Sequence, residues 1–466
     1  MRNRYHLLFS LTFLLICPRL GFGTTITAAS LAAIDVRAAV NSALDGDIVI
    51  LPAGSATWTS NVTVSGKSIT IQGAGIDLTT ITNNIPGGGR VLYLNISGGK
   101  FITLSGITFK QTTTYGYGIV GVGTANCNGN PLVSFRIHHC KFNGNPGGTG
   151  NYTLHVGGCF GLIDHCTFTQ TTGNGGMISL DRDNTMSMVN TYHTPQFLGD
   201  QNCVCIEDCT FNALTTNDSV LDYGAGQKAT FRHNIVYNAE VGNHGYDSQN
   251  RSARSFEFYQ NTFAITGAAP GFPPFRCRGG TGVIWGNTIT GFTKFFDLDY
   301  FAAGTPPVFP TRPTAMAPSA AWGSTAAGGG PGLIAEAGSL MTGSLGVDGN
   351  QSGPGNIDKG YPALDQPGRG SFPVGNPGNW PHVTTGYTNA NYEALDPVYQ
   401  WNNNLNGNTS PVTGTGVPGT QNYVKPNRDY YDNVQKPGYT PLVYPHPLTQ
   451  GGNPVAPTNL HVVQGP

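Results

Sequence analysis

Six stretches of the chain, FRIHHCKF, LIDHCTF, CIEDCTF, FRHNIV, SFEFYQNTF and VIWGNTI, share one design: short alternating apolar runs that meet at a Cys or an Asn. Those junction residues are Cys140, Cys166, Cys209, Asn234, Asn261 and Asn287, separated by 26, 43, 25, 27 and 26 positions. A period near 26 with three short strands per repeat suits neither a propeller blade nor a helical solenoid. It fits a parallel β-helix, in which coils stack about 4.8 Å apart and inward apolar side chains form columns. The junction residue then marks a tight corner. Asn tolerates the left-handed backbone such a corner needs, and its amide can hydrogen-bond its copy in the next coil. Phe142, Phe168, Phe211 and Phe263 recur at one position and are expected to stack in the core.

The rest of the chain agrees with an all-β solenoid. Its 66 Gly and 32 Pro favour turns and strands over helices. With 11% charged residues and a net charge of -1, it lacks the basic footprint of a nucleic-acid binder or of a protein drawn to anionic membranes. The opening MRNRYHLLFSLTFLLICPRLGFG has the layout of a secretory signal peptide, with cleavage after Gly23 and export to the cell surface or medium. Removing Cys17 leaves eight cysteines, an even number open to disulfides or to stacked buried thiols. SLAAIDVRAAVNSAL predicts one helix, with Ser30 as N-cap and Val36, Val40, Ala43 and Leu44 on its apolar face, capping the first coil. Alternation of Val49, Leu51, Val62, Val64, Ile69 and Ile71 then predicts half-buried strands.

From Asp45 to Phe301, through the DGDIVILPAG opening and the I-x-x-N/C-x-F corners, the chain resembles the right-handed parallel β-helix proteins of the pectin lyase-like superfamily. The expected organisation is a signal peptide over 1–23, a cap and β-helix over 24–301, and a loop-rich, Gly/Pro/Asn-rich region over 302–466 that packs on the helix or trails it.

Strand parity points to one chemically loaded face. In TLHV, Leu154 and Val156 point inward and His155 outward. In MISLD, Ser179 and Asp181 point outward, and in FRCRG so do Arg276 and Arg278. FFDLDYF adds Asp297 and Asp299, and VLDY adds Asp222. The preceding loop, NAEVGNHGYDSQNRSAR, supplies His244, Tyr246, Asp247, Arg251 and Arg254 to the wall of a cleft. The bland alternative is a solvated ion ladder in which the aspartates merely neutralise the arginines. His138, His139 and His165, beside the corners, read as corner hydrogen-bonders.

The resemblance implies that an extended acidic polysaccharide lies in this cleft and is cleaved by β-elimination. That chemistry needs a group to neutralise the uronate carboxylate, a base for the C5 proton and a donor for the leaving oxygen. Arg276 or Arg278 would be the charge clamp or the base, with His244 or Tyr246 the other candidate base. Arg251, Arg254, His155, Asp247, Asp297 and Asp299 would bind the glycan, and Asp181 and Asp222 would hold calcium through hard oxygen ligands. Two other readings stay open: a non-catalytic glycan-binding or adhesive β-helix, and a polygalacturonase-like hydrolase, echoed only by DLD and NHG. The protein is expected to act as a monomer. An outward arginine buries little, so Arg276→Ala or Arg278→Ala is expected to leave stability within about 0.5 kcal/mol.

Overall fold

The computed structural model describes residues 23–96, 99–112, 117–123, 133–144, 152–170, 176–181, 198–214, 219–224, 226–247, 252–267, 269–299, 302–303, 367–371, 394–415 and 424–450. Residues 1–22, expected to belong to a signal peptide, lie outside them.

Successive short strands fall in strict rotation onto three long sheets, every pairing within them parallel: a first sheet of 12 strands and a second and third of 10 each. One full turn runs from Ile102–Ser105 in the first sheet through Thr108–Gln111 in the second to Tyr117–Gly123 in the third, and the next begins at Val133–His138. This is a single-stranded right-handed parallel β-helix. Inward columns fill the bore. Phe109, Phe142, Phe168 and Phe211 stack with ring centroids 5.4, 4.7 and 5.0 Å apart, and strand register carries the column on through Val236 to Phe263. All seven cysteines among the described residues are buried thiols outside any disulfide. Of these, Cys140, Cys166 and Cys209 stand at successive corners as the stacked-thiol reading expects.

The corner column is a hydrogen-bonded ladder. The Asn234 amide nitrogen donates to Asn261 Oδ1 at 3.0 Å, that of Asn261 to Asn287 Oδ1 at 3.0 Å, and that of Asn287 to Asn403 Oδ1 at 3.1 Å. Each Asn carboxamide also donates back to a core carbonyl, Ile206, Phe231 or Phe258. Further up the column Cys209 Sγ takes the Asn role, accepting from the Cys166 amide at 3.4 Å. The left-handed residue is not the Asn or Cys, as the sequence suggested, but its predecessor: His139, His165, Asp208, His233, Gln260, Gly286 and Asn402 all have φ between 50° and 67°. The turn places the strain one residue early, which frees the Asn side chain to point inward and bridge coils.

The helix Ala33–Ser42 closes the N-terminal end with Val36, Ala39, Val40 and Ala43 buried, whereas Leu44 is exposed. Its N-cap is Ala32; Ser30 instead bridges the Ala32 amide and Asp35. Lys67 donates to the carbonyls of Val40, Asn41 and Ala43 at 2.7–2.8 Å, meeting the negative end of the helix dipole.

The repeat does not end at Ala302. The next strand of the stack after Phe296–Leu298 is Val398–Trp401, which pairs in register with Thr281–Trp285, so residues 398–414 form another coil with Asn403 at its corner. A 116-residue step hides this corner from a search for period 26. The chain then doubles back as a strap along the outer face of the first sheet. Tyr439 donates to Glu257 at 2.6 Å, Arg232 Nη2 to the Val443 carbonyl at 2.9 Å, Tyr444 to Asp208 at 2.8 Å, the His446 amide to Glu207 at 2.9 Å, and Arg136 to the Leu448 carbonyl at 3.0 Å.

The strap traps two groups whose titrations oppose each other. Burial depresses His446 from 6.5 to about 4, helped by Arg232, so its contribution is present above 6.5 and is lost as pH falls towards 4. Burial raises Glu257 from 4.5 to about 7, so its contribution is present below 4.5 and is lost as pH rises towards 7. Each is worth as much as ~3 kcal/mol, and between pH 4.5 and 6.5 they offset. Glu257→Gln should remove that opposition, so that stability in urea melts climbs more steeply from pH 4 to 6.5 than in the wild type, the contributions of Glu240 and His138 in the same window being common to both proteins. Parallel pH profiles for the two proteins would refute the coupling.

Candidate functional site

The outer face of the third sheet carries one continuous row through the stack. Register aligns Tyr93, Gly121, His155, Ser179 and Asp222, and further along aligns Gly242, Arg276, Asp297 and Gly414. Two glycines in and beside this row let long side chains cross from one coil to another. A Cβ on Gly121 would lie 2.6 Å from Arg90 Cδ, and one on Gly176 would lie 2.4 Å from the Tyr152 ring. Through the first gap Arg90 reaches His155 Nδ1 at 3.1 Å; through the second the Tyr152 hydroxyl reaches Asp222.

Two histidine–carboxylate pairs result. Because a guanidinium can only donate, His155 Nδ1 accepts from Arg90 and Nε2 carries the proton given to Asp181 Oδ2 at 3.0 Å. In the second pair His244 Nε2 meets Asp222 Oδ1 at 2.9 Å while Tyr152 donates to Oδ2 at 2.6 Å. Burial pushes the Asp222 carboxyl up, but the His244 charge and hydrogen bond, the Tyr152 hydroxyl and the Arg278 charge outweigh it and hold it at about 2. Asp222 is therefore ionised throughout the neutral range and keeps two proton carriers converged on one anion.

The arginines flank this cluster. Arg278 is half-buried, fixed by its amide to Asn243 Oδ1 at 2.7 Å and by Nε to the Asn243 carbonyl at 3.2 Å. Arg276 lies over the Phe272 ring at 4.0 Å and donates to Asp299 at 3.4 Å. The Asp299 carboxylate is enclosed, and Arg276 is one of the groups that face it. The Arg276 side chain is 18% exposed, less open than strand parity alone suggested. Glu240, which parity arguments on longer strands passed over, projects beside them. Burial is the main cause that raises it to about 7; Arg276 and Arg278 pull it down while Asp222 and Asp297 push it up, and its Oε2 has no hydrogen-bond partner among the described residues. Its strand, Glu240–Gly242, is only three residues long and enters with a register shift, so alternation had little to work on. Matching Val241 to Phe275 is the signal that places it.

The structure thus brings together His155, Asp181, Asp222, His244, Arg276, Arg278 and Asp297. Arg254 is fully buried, below the surface that a glycan could touch. The backbone of Tyr246–Asp247 pairs with Ala302–Ala303, and Arg251 lies outside the described residues. Tyr152, Arg90 and Glu240 are the members that the sequence did not single out. His139 and His165 stack at 5.0 Å on the corner, away from this face. Asp181 and Asp222, expected to hold calcium, are each engaged by an imidazole, and no group of three or more His, Cys, Asp or Glu side chains with metal-holding geometry occurs among the described residues.

No protein-family model matches the chain, and no curated protein matches it. Among solved structures it aligns with Geobacillus virus E2 ORF18 (15% identity, 58% of this chain and 57% of that one, TM-score 0.29), with an alginate lyase from Paenibacillus sp. str. FPU-7 (15%, 59% and 97%, 0.29), and with the PL6 family alginate lyase AlyGC (13%, 60% and 45%, 0.29). The aligned part thus spans little more than half of the viral chain. The β-helix is assigned from the strand register alone, and the site from its own geometry.

Proposed function

We propose that the chain is an exported polysaccharide lyase that cleaves a uronate-containing glycan lying along the outer face of the third sheet. The observation that carries this reading is the convergence of Tyr152 and His244 on Asp222, with the Arg278 charge close by. β-Elimination breaks the C5–H and C4–O4 bonds and forms a C4=C5 double bond. The C5 proton goes to a base, and O4 leaves with a proton. Tyr152 and His244 are the proton carriers; Arg276 and Arg278 neutralise the uronate carboxylate and so acidify C5. A hydrolase would instead need two carboxyls facing the scissile bond. Here Asp181 and Asp222 are capped by imidazoles and Asp299 is enclosed, which leaves Glu240 and Asp297 as the carboxyls that the hydrolase reading would have to use.

The test is a panel of pectate, alginate and related polyuronates assayed for unsaturated ends by ultraviolet absorbance, with and without chelator. New absorbance with at least one polymer supports the lyase; glycan binding without product favours the adhesive reading; chelator sensitivity would bring calcium into the site. Arg278→Ala should lower kcat/KM by about tenfold or more, as expected for loss of a charge-assisted contact worth roughly 1.5–3 kcal/mol, and lysine should restore it only in part because a point charge lacks the planar fork. Wild-type kinetics in Arg278→Ala would remove that residue from the site.

A further inference from the structure

One coil beyond Arg276 the same outward row reaches Asp297, and there the chain forms a cavity of about 350 Å³ between the segment 293–297 and the returning coil 405–415. Three features of its lining point to a ligand. Asp297 is 4% exposed, yet its Oδ1 has no hydrogen-bond partner among the described residues, an acceptor that burial ordinarily obliges to find a donor. Lys294 stands on the rim, 61% exposed, with its ammonium 3.7 Å from the other Asp297 oxygen, beyond ordinary hydrogen-bond length. Pro411 and Val412 supply an apolar wall, and Val412 is 66% exposed, a large apolar side chain left in solvent beside a polar floor.

We propose that this cavity is a second glycan subsite that receives the uronate unit adjoining the one held at Arg276 and Arg278. A hydroxyl of the sugar donates to Asp297 Oδ1, its carboxylate meets Lys294, and the C–H face of the ring packs on Pro411 and Val412. Coils stand about 4.8 Å apart, so a chain lying along the axis brings its next residue over the cavity. A neutral sugar would satisfy Asp297 and leave Lys294 unused; the lysine at the mouth is what selects an acidic unit. Burial first, and then Asp299, raises Asp297, which suits an acceptor that shares a hydroxyl proton rather than one that competes for the substrate's cation. The subsite is built by residues 405–415, so the coil that re-enters after the long excursion completes the glycan path as well as the solenoid.

The inference rests on the glycan reading of the neighbouring site, and the experiment separates the two. Equilibrium binding of oligogalacturonates and oligomannuronates, from dimer to octamer, is measured by calorimetry on the Tyr152→Phe protein so that the ligands survive. Affinity should step up by about tenfold once the oligomer is long enough to reach the cavity, the size of one charge-assisted contact. Lys294→Glu and Val412→Glu, both at exposed positions that fold safely, should remove that step and leave the shortest binding oligomers unaffected. Retention of the full step in Lys294→Glu would overturn the subsite while leaving the glycan reading intact. Failure of every oligomer to bind the parent protein would bring down both.

Discussion

Replacing Arg232 by alanine should lower the unfolding free energy by about 3–5 kcal/mol, among the largest effects available in this chain. Arg232 and Glu207 are both 0% exposed and lie in adjacent coils of the first sheet, joined by Nη2 and Nε contacts to Oε2 of 2.6 and 2.8 Å. The guanidinium also donates to the Tyr259 hydroxyl at 2.9 Å and to the Leu442 and Val443 carbonyls of the strap. Alanine would leave Glu207, already pushed up by burial, without its cation, and would orphan two strap carbonyls. The loss should appear in urea melts as a lower midpoint and in limited proteolysis as earlier cleavage within 433–450, because the strap loses its central anchor. The paired change Arg232→Met with Glu207→Leu removes both charges and should recover only the part of the loss that comes from the stranded carboxylate, since the Leu442 and Val443 carbonyls and the His446 amide would stay without their partners. A single Arg232→Ala variant within about 1 kcal/mol of wild type would mean that water reaches Glu207 and that the strap is held mainly by Tyr439 and Tyr444.

The β-helix was legible in the sequence because its strongest signal is periodic and its cause is local. Each Asn or Cys corner hydrogen-bonds its neighbour one coil away, and so must recur once per coil. Asn403 obeys the same rule, but an excursion of more than a hundred residues separates it from Asn287, and a period search has no reach over such a gap. The outward face was legible in part. His155, Asp181, Arg276 and Asp297 follow from simple alternation along well-formed strands. Tyr152 and Arg90 do not, because each works by crossing to another coil through the space left by a glycine, and the partner of such a side chain depends on register between coils. Exposure was legible least of all. Parity says that Arg276 points away from the bore, but only the packed structure shows Phe272 and Asp299 covering it, and only the strap explains how the first sheet can carry Glu207, Arg232 and Glu257 on its outer face and still bury them.

On the proposed reading, Tyr152→Phe should reduce kcat/KM by about 10²–10⁴, the usual worth of a positioned proton carrier, with the thermal midpoint nearly unchanged. The substitution deletes one oxygen. It leaves the ring in the gap over Gly176 and leaves Asp222 paired to His244. Asp222 sits at about 2 with its partners in place, so even after losing the Tyr152 hydrogen bond it remains ionised at neutral pH, and the kinetic loss cannot be ascribed to a newly protonated carboxyl. His244→Ala should cost a similar factor, and the double variant should cost much less than the product of the two, because both residues serve one proton-transfer sequence around one anion. Gly176→Ala supplies an independent control. It leaves every reacting group present but drives a methyl into the Tyr152 ring, so it should reproduce a large part of the Tyr152→Phe loss through displacement alone. Near wild-type kcat/KM in both Tyr152→Phe and Gly176→Ala would exclude the Asp222 cluster as the proton-transfer centre and would move it along the same row to the other pair, in which Arg90 fixes the tautomer of His155 and Asp181 receives its proton.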